Sequence, residues 1–377
     1  MPLNSYEEWS QLKEIIVGCP AGFHLPDLEL SFKLFFQEQV DFSIYYPAYG
    51  ANSKNPVKYN PSINKKYLEE VTEDVEELVL TLKRLNVTVH RPKPLNQITE
   101  IITPYWKTYS IPALNIRDQA LVLGNHLVET APQIRARYFE NDLLKKIFYD
   151  YFSRGCKWST MPRPIMTDNS FDISYAKEMG RPLITHEEIY EQIPSEFDVG
   201  VEIMIDAAQC IRFGKDIVVN VATQNHEIGL EWLKRHFGHE FNFHRVYRLT
   251  DSHIDSILLP LRPGKLLLRH PRFLPLLPAA LQKWDIIYPP NPEESLFPSY
   301  SDNPMLLTSK YIDLNVLSIN ENQIIVNSLN PELIKTLEKQ GFDVIPVQHR
   351  HRRLFGGGFH CFTVDTVREG KYESYFS

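Results

Sequence analysis

Five polar residues of this chain stand where short apolar strands begin: Asp118, Asp206, His253, Asp255 and Cys361. A thiolate is a strong nucleophile, an imidazole exchanges protons near neutral pH, and carboxylates grip cations through charge-assisted hydrogen bonds. One thiol, one imidazole and three carboxylates brought together could hold a guanidinium-like cation and attack it. A free cysteine is mostly protonated at neutral pH, so a nearby imidazolium or a bound cation must stabilise the thiolate. Asp206 is placed to orient His253 as a triad carboxylate does.

The local spacing supports these roles. His253 and Asp255 are two residues apart on an expected strand, so both face one side while Ile254 and Ile257 face the core. Cys361 follows Gly356-Gly357-Gly358-Phe359-His360, and glycines let a substrate approach the backbone closely. On a strand the His360 ring would point to the face opposite Cys361, which leaves His253 as the acid/base partner. The plainer readings are a core histidine, a buried structural cysteine and a flexible surface loop. Leu354-Phe355 before the glycines and the apolar run after Cys361 argue against the last of these.

The elements that must position these groups recur along the chain. Leu68, Val71, Val75, Leu78, Leu82 and Leu85 alternate spacings of three and four, which predicts a helix over 66–85 with one apolar stripe; a short strand over 87–89 follows. Paired apolar strands joined by polar turns are expected over 118–130, 206–221, 253–269 and 314–327, with turns at Gly124-Asn125, Gly214-Lys215, Arg262-Pro263-Gly264 and Asn320-Glu321-Asn322. Helices over 227–237, capped by Asn225, and from Asn330-Pro331 to Gln340 lead to strands over 243–247 and 342–347. A helix around 279–283 leads to a strand over 286–288 in the same way. A fifth unit is split between 360–367 and 12–17. The chain thus reads as a closed ring of ββαβ units, with an ordinary α+β domain as the alternative. The 131–201 segment reads as an insertion, and 26–61 as a long loop near the site.

The bulk properties narrow the function. The chain has 377 residues, 43% of them hydrophobic, and a net charge of -7, which speaks against nucleic acid or an anionic membrane as partner. Its densest basic stretch, 349–353, reads as a solvated loop face. The start carries no basic and apolar leader pattern, and no apolar run is long enough to span a membrane. Four scattered cysteines, Cys19, Cys156, Cys210 and Cys361, suit free thiols in a reducing cytoplasm and suggest neither zinc nor disulfides.

The run Gly356-Gly357-Gly358-Phe359-His360-Cys361 resembles the active-site loop of the arginine:glycine amidinotransferases. Supporting stretches are Arg117-Asp118 before LVLGN, YDYFSRGCKW at 149–158, DAAQCIRFGKDI at 206–217, HID at 253–255 and SKYIDLNVL at 309–317. The similarity spans nearly the whole chain. It implies the pentein fold, a five-bladed α/β propeller of ββαβ units with pseudo-fivefold symmetry. It also implies a single domain over 1–377, with one blade closed by the N- and C-terminal strands. The implied reaction is ping-pong. Cys361 attacks the guanidinium carbon of L-arginine, ornithine leaves, and an amidino-cysteine passes its amidino group to a small amine, with His253 as acid and then base and Asp206 as third triad member. Asp118 and Asp255 match the carboxylates that hold the guanidinium, and Arg272 and Ser309 match positions that bind the amino-acid end of the donor. No metal or organic cofactor is implied, and a homodimer is expected.

Two departures concern the acceptor. Gln209 stands where the glycine-accepting animal enzyme has a second acid, and the shortened Thr250-Asp251-Ser252 puts a small Ser252 where that enzyme has methionine. A wider acceptor pocket follows, so the chain is similar to the bacterial secondary-metabolite branch that serves saxitoxin-type guanidino toxins and streptomycin. Glycine as acceptor, giving guanidinoacetate, and an arginine deiminase-like hydrolysis on the same fold are the alternatives.

Overall fold

Apolar strand pairs joined by tight turns fold as antiparallel hairpins, and each gains a third, parallel strand through a crossover. The computed structural model describes residues 1–27, 29–35, 62–174, 196–250, 253–300 and 306–376. Within them β1 (Leu12–Val17) pairs parallel with β2 (Thr88–His90) and antiparallel with the chain's last strand, β17 (Thr363–Arg368). A separate hairpin joins β3 (Glu100–Ile102) to β4 (Lys107–Tyr109). The next sheets are β5 (Ala120–Leu123), β6 (His126–Glu129) and β7 (Lys157–Thr160), then β8 (Cys210–Phe213), β9 (Asp216–Val221) and β10 (Asn242–Tyr247). Two more follow: β11 (Leu258–Arg262), β12 (Lys265–Leu268) and β13 (Asp285–Ile287), then β14 (Leu317–Ser318), β15 (Gln323–Asn327) and β16 (Asp343–Val347). In all five three-stranded sheets the middle strand pairs antiparallel on one side and parallel on the other.

Among the described residues the helices are α1 (Leu30–Phe35), α2 (Lys65–Arg84), α3 (Lys145–Ser153), α4 (Gln224–Phe237) and α5 (Pro331–Lys339). Four of them, α2 to α5, are the crossovers of four blades. The α2 stripe behaves as its spacing predicts, with Val71, Val75, Leu78 and Leu82 buried and Asn64 accepting the Lys66 N–H at 3.0 Å as its cap. In the β12–β13 crossover only two 3-10 turns form, Pro271–Leu276 and Leu281–Lys283, in place of the expected helix.

Three further expectations change. The 131–201 segment is not simply an insertion, because α3 and β7 lie within it and complete the second blade. The cap of α4 is Thr223, whose hydroxyl accepts the His226 N–H at 3.3 Å, while Asn225 turns its amide to the carbonyls of Ser170 and Glu202. The basic 349–353 stretch is largely buried rather than a solvated face. Arg350 bonds Asp74, Arg352 bonds Asp313 and Arg353 bonds Glu294, so packing of charge against charge replaces water. Of the long loop expected over 26–61, most lies outside the described residues.

Strands β5, β8, β9 and β17 are buried along their whole length. Both faces of these strands are covered, and the charged residues that they carry, such as Arg212, Asp365 and Arg368, are buried with partners. A buried ionic network knits the first strands of three blades. Arg212 reaches Glu8 at 2.8 Å and Asp365 at 2.7 Å, Arg117 reaches Asp365 at 2.7 Å, and Arg368 reaches the same carboxylate at 2.8 Å. No helix among the described residues is long and apolar enough to cross a membrane.

Candidate active site

Each blade's first strand is entered through a tight turn, and these turns carry the candidate side chains. Asp118 ends the turn Ile116–Asp118, Asp206 caps Ala207–Gln209, His253 caps Ile254–Ser256, and Ser309 caps Lys310–Leu314. His253 and Asp255 are therefore not on a strand, as their spacing suggested. The 3-10 geometry, closed by Ser256 N–H to the His253 carbonyl at 3.2 Å, sets their directions instead. Cys361 likewise lies in the turn before β17.

Asp118, His253, Asp255 and Cys361 share the wall of one cavity enclosing about 810 Å³, its open mouth included. The rest of that wall is largely apolar, with Phe23, Phe32, Phe35, Ile111, Leu114, Ile134, Leu307 and Ile312, joined by Asn115, Arg137, Glu140 and Thr308. Asp206 lies behind His253. Its Oδ2 is 2.9 Å from His253 Nε2, and its Oδ1 accepts from Gln119 Nε2 at 3.2 Å and from the Gln133 N–H at 3.3 Å. The other ring nitrogen, Nδ1, is 3.3 Å from Asp118 Oδ1. Burial alone would lower the His253 pKa, but Asp118 and Asp206 outweigh it and push it up to about 9. At neutral pH the ring is an imidazolium.

Cys361 is 5% exposed. Its Sγ lies 3.4 Å from Asp255 Oδ2, and its N–H donates to Asn315 Oδ1 at 2.8 Å. Burial, then Asp255 and Asp118, drive the thiol pKa well above its ordinary value. Asp255 Oδ2 also accepts from His360 Nδ1 at 2.8 Å and from Asn315 Nδ2 at 3.0 Å. These contacts outweigh burial and hold its carboxyl below the usual range. Its Oδ1 is buried with no hydrogen-bond partner among the described residues.

The three glycines before Cys361 are there for space. A Cβ on Gly357 would stand 2.1 Å from Asn115 Oδ1, and one on Gly358 would stand 2.7 Å from Asn315 Cβ. His349, in the buried basic stretch, bonds the Gly357 carbonyl at 2.9 Å and fixes the loop from behind.

Other expected site residues fall elsewhere. Arg272 is exposed on the Pro271–Leu276 turn with its guanidinium 4.7 Å from the Phe273 ring centroid, and it is not among the described residues that line the cavity. Ser309 is not in that lining either; its hydroxyl accepts the Tyr311 N–H, and the neighbouring Thr308 lines the wall instead. Ser252 lies outside the described residues. Gln209 is fully buried against His226, at 3.1 Å, and is not among the described residues that line the cavity.

Five neighbours were missed from sequence: Asn115, Arg137, Glu140, Asn315 and His360. Arg137 and Glu140 sat in the supposed insertion, although an Arg and a Glu three apart in RARYFE were a signal. Burial pushes Glu140 up to about 7 despite its ion pair with Arg137. His360 is in a turn rather than on a strand, and its Nδ1 bonds the same Asp255 oxygen that stands beside the thiol, with Nε2 toward Glu8.

A ring of ββαβ blades with a buried cysteine, a carboxylate-held histidine and convergent aspartates at the strand entries defines a pentein. Dimethylarginine dimethylaminohydrolase from Pseudomonas aeruginosa, only 14% identical, matches over 94% of this chain and 99% of its own with a TM-score of 0.56. It shows the fold alone.

The chain belongs to the amidinotransferase family. It is 32% identical to the L-arginine:L-lysine amidinotransferase of Pseudomonas savastanoi pv. phaseolicola, over 99% of this chain and 96% of that one. It is 32% identical to the mitochondrial glycine amidinotransferase of Gallus gallus, over 100% of this chain and 85% of that one. Among solved structures, an amidinotransferase of the saxitoxin pathway from Microseira wollei is 31% identical over 100% of both chains, with a TM-score of 0.77. No protein-family model matches the sequence.

Proposed function

We propose that this amidinotransferase takes the amidino group of L-arginine onto Cys361 and passes it to an amine in the biosynthesis of a saxitoxin-type guanidino metabolite. The observation that carries the donor half is a buried thiol set against carboxylates. With the cavity empty, Asp255 and Asp118 oppose thiolate formation. A guanidinium cation between them opposes that, since its positive charge offsets their repulsion and stabilises the sulfur anion beside it. The thiol then loses its proton to solvent as the donor binds, so the nucleophile forms only in its presence.

Sγ bonds to the guanidinium carbon, the bond from that carbon to the side-chain nitrogen breaks, and His253 supplies the proton to the departing ornithine. Asp206 holds the ring for this transfer. In the second half His253 removes a proton from the incoming amine, the new carbon–nitrogen bond forms, and the carbon–sulfur bond breaks. The amidino group needs no redox change in either half.

The apolar wall supports an acceptor with a hydrophobic body rather than glycine, and the saxitoxin-pathway neighbour is an amidinotransferase of such a pathway by its name. The geometry of the cavity lends no support to Arg272 or Ser309 at the donor's amino-acid end. Four unpaired cysteines favour a cytoplasmic setting.

Incubation with L-arginine and a panel of amines, with products identified by mass spectrometry, tests this reading. Ornithine, a new guanidino product and an amidino adduct on Cys361 are expected, with longer amines preferred to glycine. Citrulline and ammonia without an acceptor would instead mark a hydrolase.

A further inference from the structure

Arg137 and Glu140 stand in the cavity wall beside Asp118, and nothing in the reaction described so far uses them. We infer that Arg137, oriented by Glu140, is the positioning residue that fixes the Asp118 carboxylate with one oxygen left open to the donor's guanidinium. This rests on the reading of Asp118 as a donor-binding group.

An arginine has five N–H donors in a rigid plane. Here Nε donates to Glu140 Oε2 at 2.6 Å, Nη2 donates to Glu140 Oε1 at 2.9 Å and to the Asn115 carbonyl at 2.7 Å, and Nη1 donates to Asp118 Oδ2. Glu140 takes one edge of the guanidinium in a fork, and the backbone takes a third N–H. The plane cannot turn, and the remaining edge is aimed at one oxygen of Asp118. The other oxygen, Oδ1, makes no hydrogen bond among the described residues, although His253 Nδ1 stands 3.3 Å away.

A buried carboxylate in this place needs such a partner. The charged and titratable groups around Asp118 come from every adjoining turn: Arg137 and Glu140, His253 and Asp255, Asp206, and Cys361. Burial pushes the Asp118 pKa up and Asp206 adds to it, while His253 and Arg137 pull it back. Without Arg137 the carboxyl becomes easier to protonate and free to rotate. A neutral or turned Asp118 is a poor partner for a guanidinium. Arg137 thus acts on the donor through Asp118, and its own contacts leave it little capacity to bind substrate directly.

The test follows the first half-reaction, which needs no acceptor. Single-turnover ornithine release is measured against L-arginine concentration from pH 6 to 9 in the parent chain, Arg137→Gln, Arg137→Lys and Asp118→Asn. For Arg137→Gln the half-saturating arginine concentration should rise on the order of 10–100-fold, more than the plateau rate falls, and the acid limb should move to higher pH. Arg137→Lys keeps the charge but loses the fork, so the acid limb should stay near that of the parent while half-saturation still rises. General destabilisation would lower the active fraction without moving a limb. If Arg137→Gln does not fold, Arg137→Lys decides alone: unchanged half-saturation overturns the inference. It also falls if Arg137→Gln matches the parent in half-saturation and limb while Asp118→Asn is impaired. Parent-like arginine binding by Asp118→Asn would remove the donor-site reading itself.

Discussion

The sulfur of Cys361 lies 3.4 Å from Oδ2 of Asp255, so the proposed nucleophile rests against an anion. Asp255→Asn keeps the shape of the side chain and removes that charge. The thiol pKa should fall, and iodoacetamide should alkylate Cys361 faster at pH 7–8, on the order of tenfold for each unit of fall. Formation of the amidino adduct from L-arginine should slow at the same time, because half of the cation grip is gone. Faster alkylation with undiminished adduct formation would mean that Asp255 tunes the thiol but does not hold the donor.

His253 gives a pH signature. Its folded-state pKa of about 9 exceeds the ordinary 6.5, so the folded protein binds that proton more tightly than the unfolded chain. The stabilisation is fully present below about pH 6.5 and is lost as pH rises through about 9. Thermal melts of the parent and of His253→Asn should therefore differ most at the acid end of that window and converge toward its alkaline end. The same variant should lose ~10²–10⁴ in turnover, the usual effect of removing a general acid and base. A gap in Tm that stays constant from pH 6 to 9 would show that the ring is not held as an imidazolium.

Much of the fold is legible in the sequence, for physical reasons that also mark the limits. Gly124-Asn125 and Gly214-Lys215 announced hairpins because positive-φ turns demand glycine, and both glycines do have positive φ. Periodicity exposed α2 because one face of a long helix is buried. The turns before the strands left no such trace: three residues carry no period, so His253 and Asp255 were placed on a strand. The 349–353 stretch and the Arg137–Glu140 pair are hidden from a sequence reading for a shared reason. Charge in sequence suggests water, and only tertiary partners such as Glu140, Asp313 and Asp74 reveal that it is buried.

Gly357→Ala probes how tightly the nucleophile loop is packed. The added methyl would come within 2.1 Å of Asn115 Oδ1 and 2.9 Å of Cys361 Cβ. Neither neighbour yields freely, because the Asn115 amide donates to the Phe355 carbonyl at 3.0 Å and the Cys361 N–H is tied to Asn315. Overpacking of this kind costs about 1–3 kcal/mol, and part of the relief must come from moving the sulfur. Adduct formation should fall by more than the loss in urea-unfolding stability accounts for. A variant of parental activity would show that the loop can shift without displacing the thiol.

Arg212→Met reaches the same sulfur from the far side of the core. Arg212 is buried between Glu8 and Asp365, at 2.8 Å and 2.7 Å, and its removal leaves two carboxylates sharing Arg117, with Arg368 also on Asp365. Breaking a buried ion pair on one side only costs about 3–5 kcal/mol, read as a lower midpoint in urea. The effect should not stop at stability. Glu8 lies 3.3 Å from His360 Nε2, and His360 Nδ1 bonds Asp255, the thiol's neighbour. A repositioned Glu8 therefore shifts His360 and, through it, the carboxylate beside Cys361, so the alkylation profile of the thiol should change as well. Adding Asp365→Leu also takes the shared acceptor away from Arg117 and Arg368, so the double variant should be less stable than Arg212→Met alone. If the double variant is as stable as Arg212→Met alone, the ionic network is not what joins these three blades.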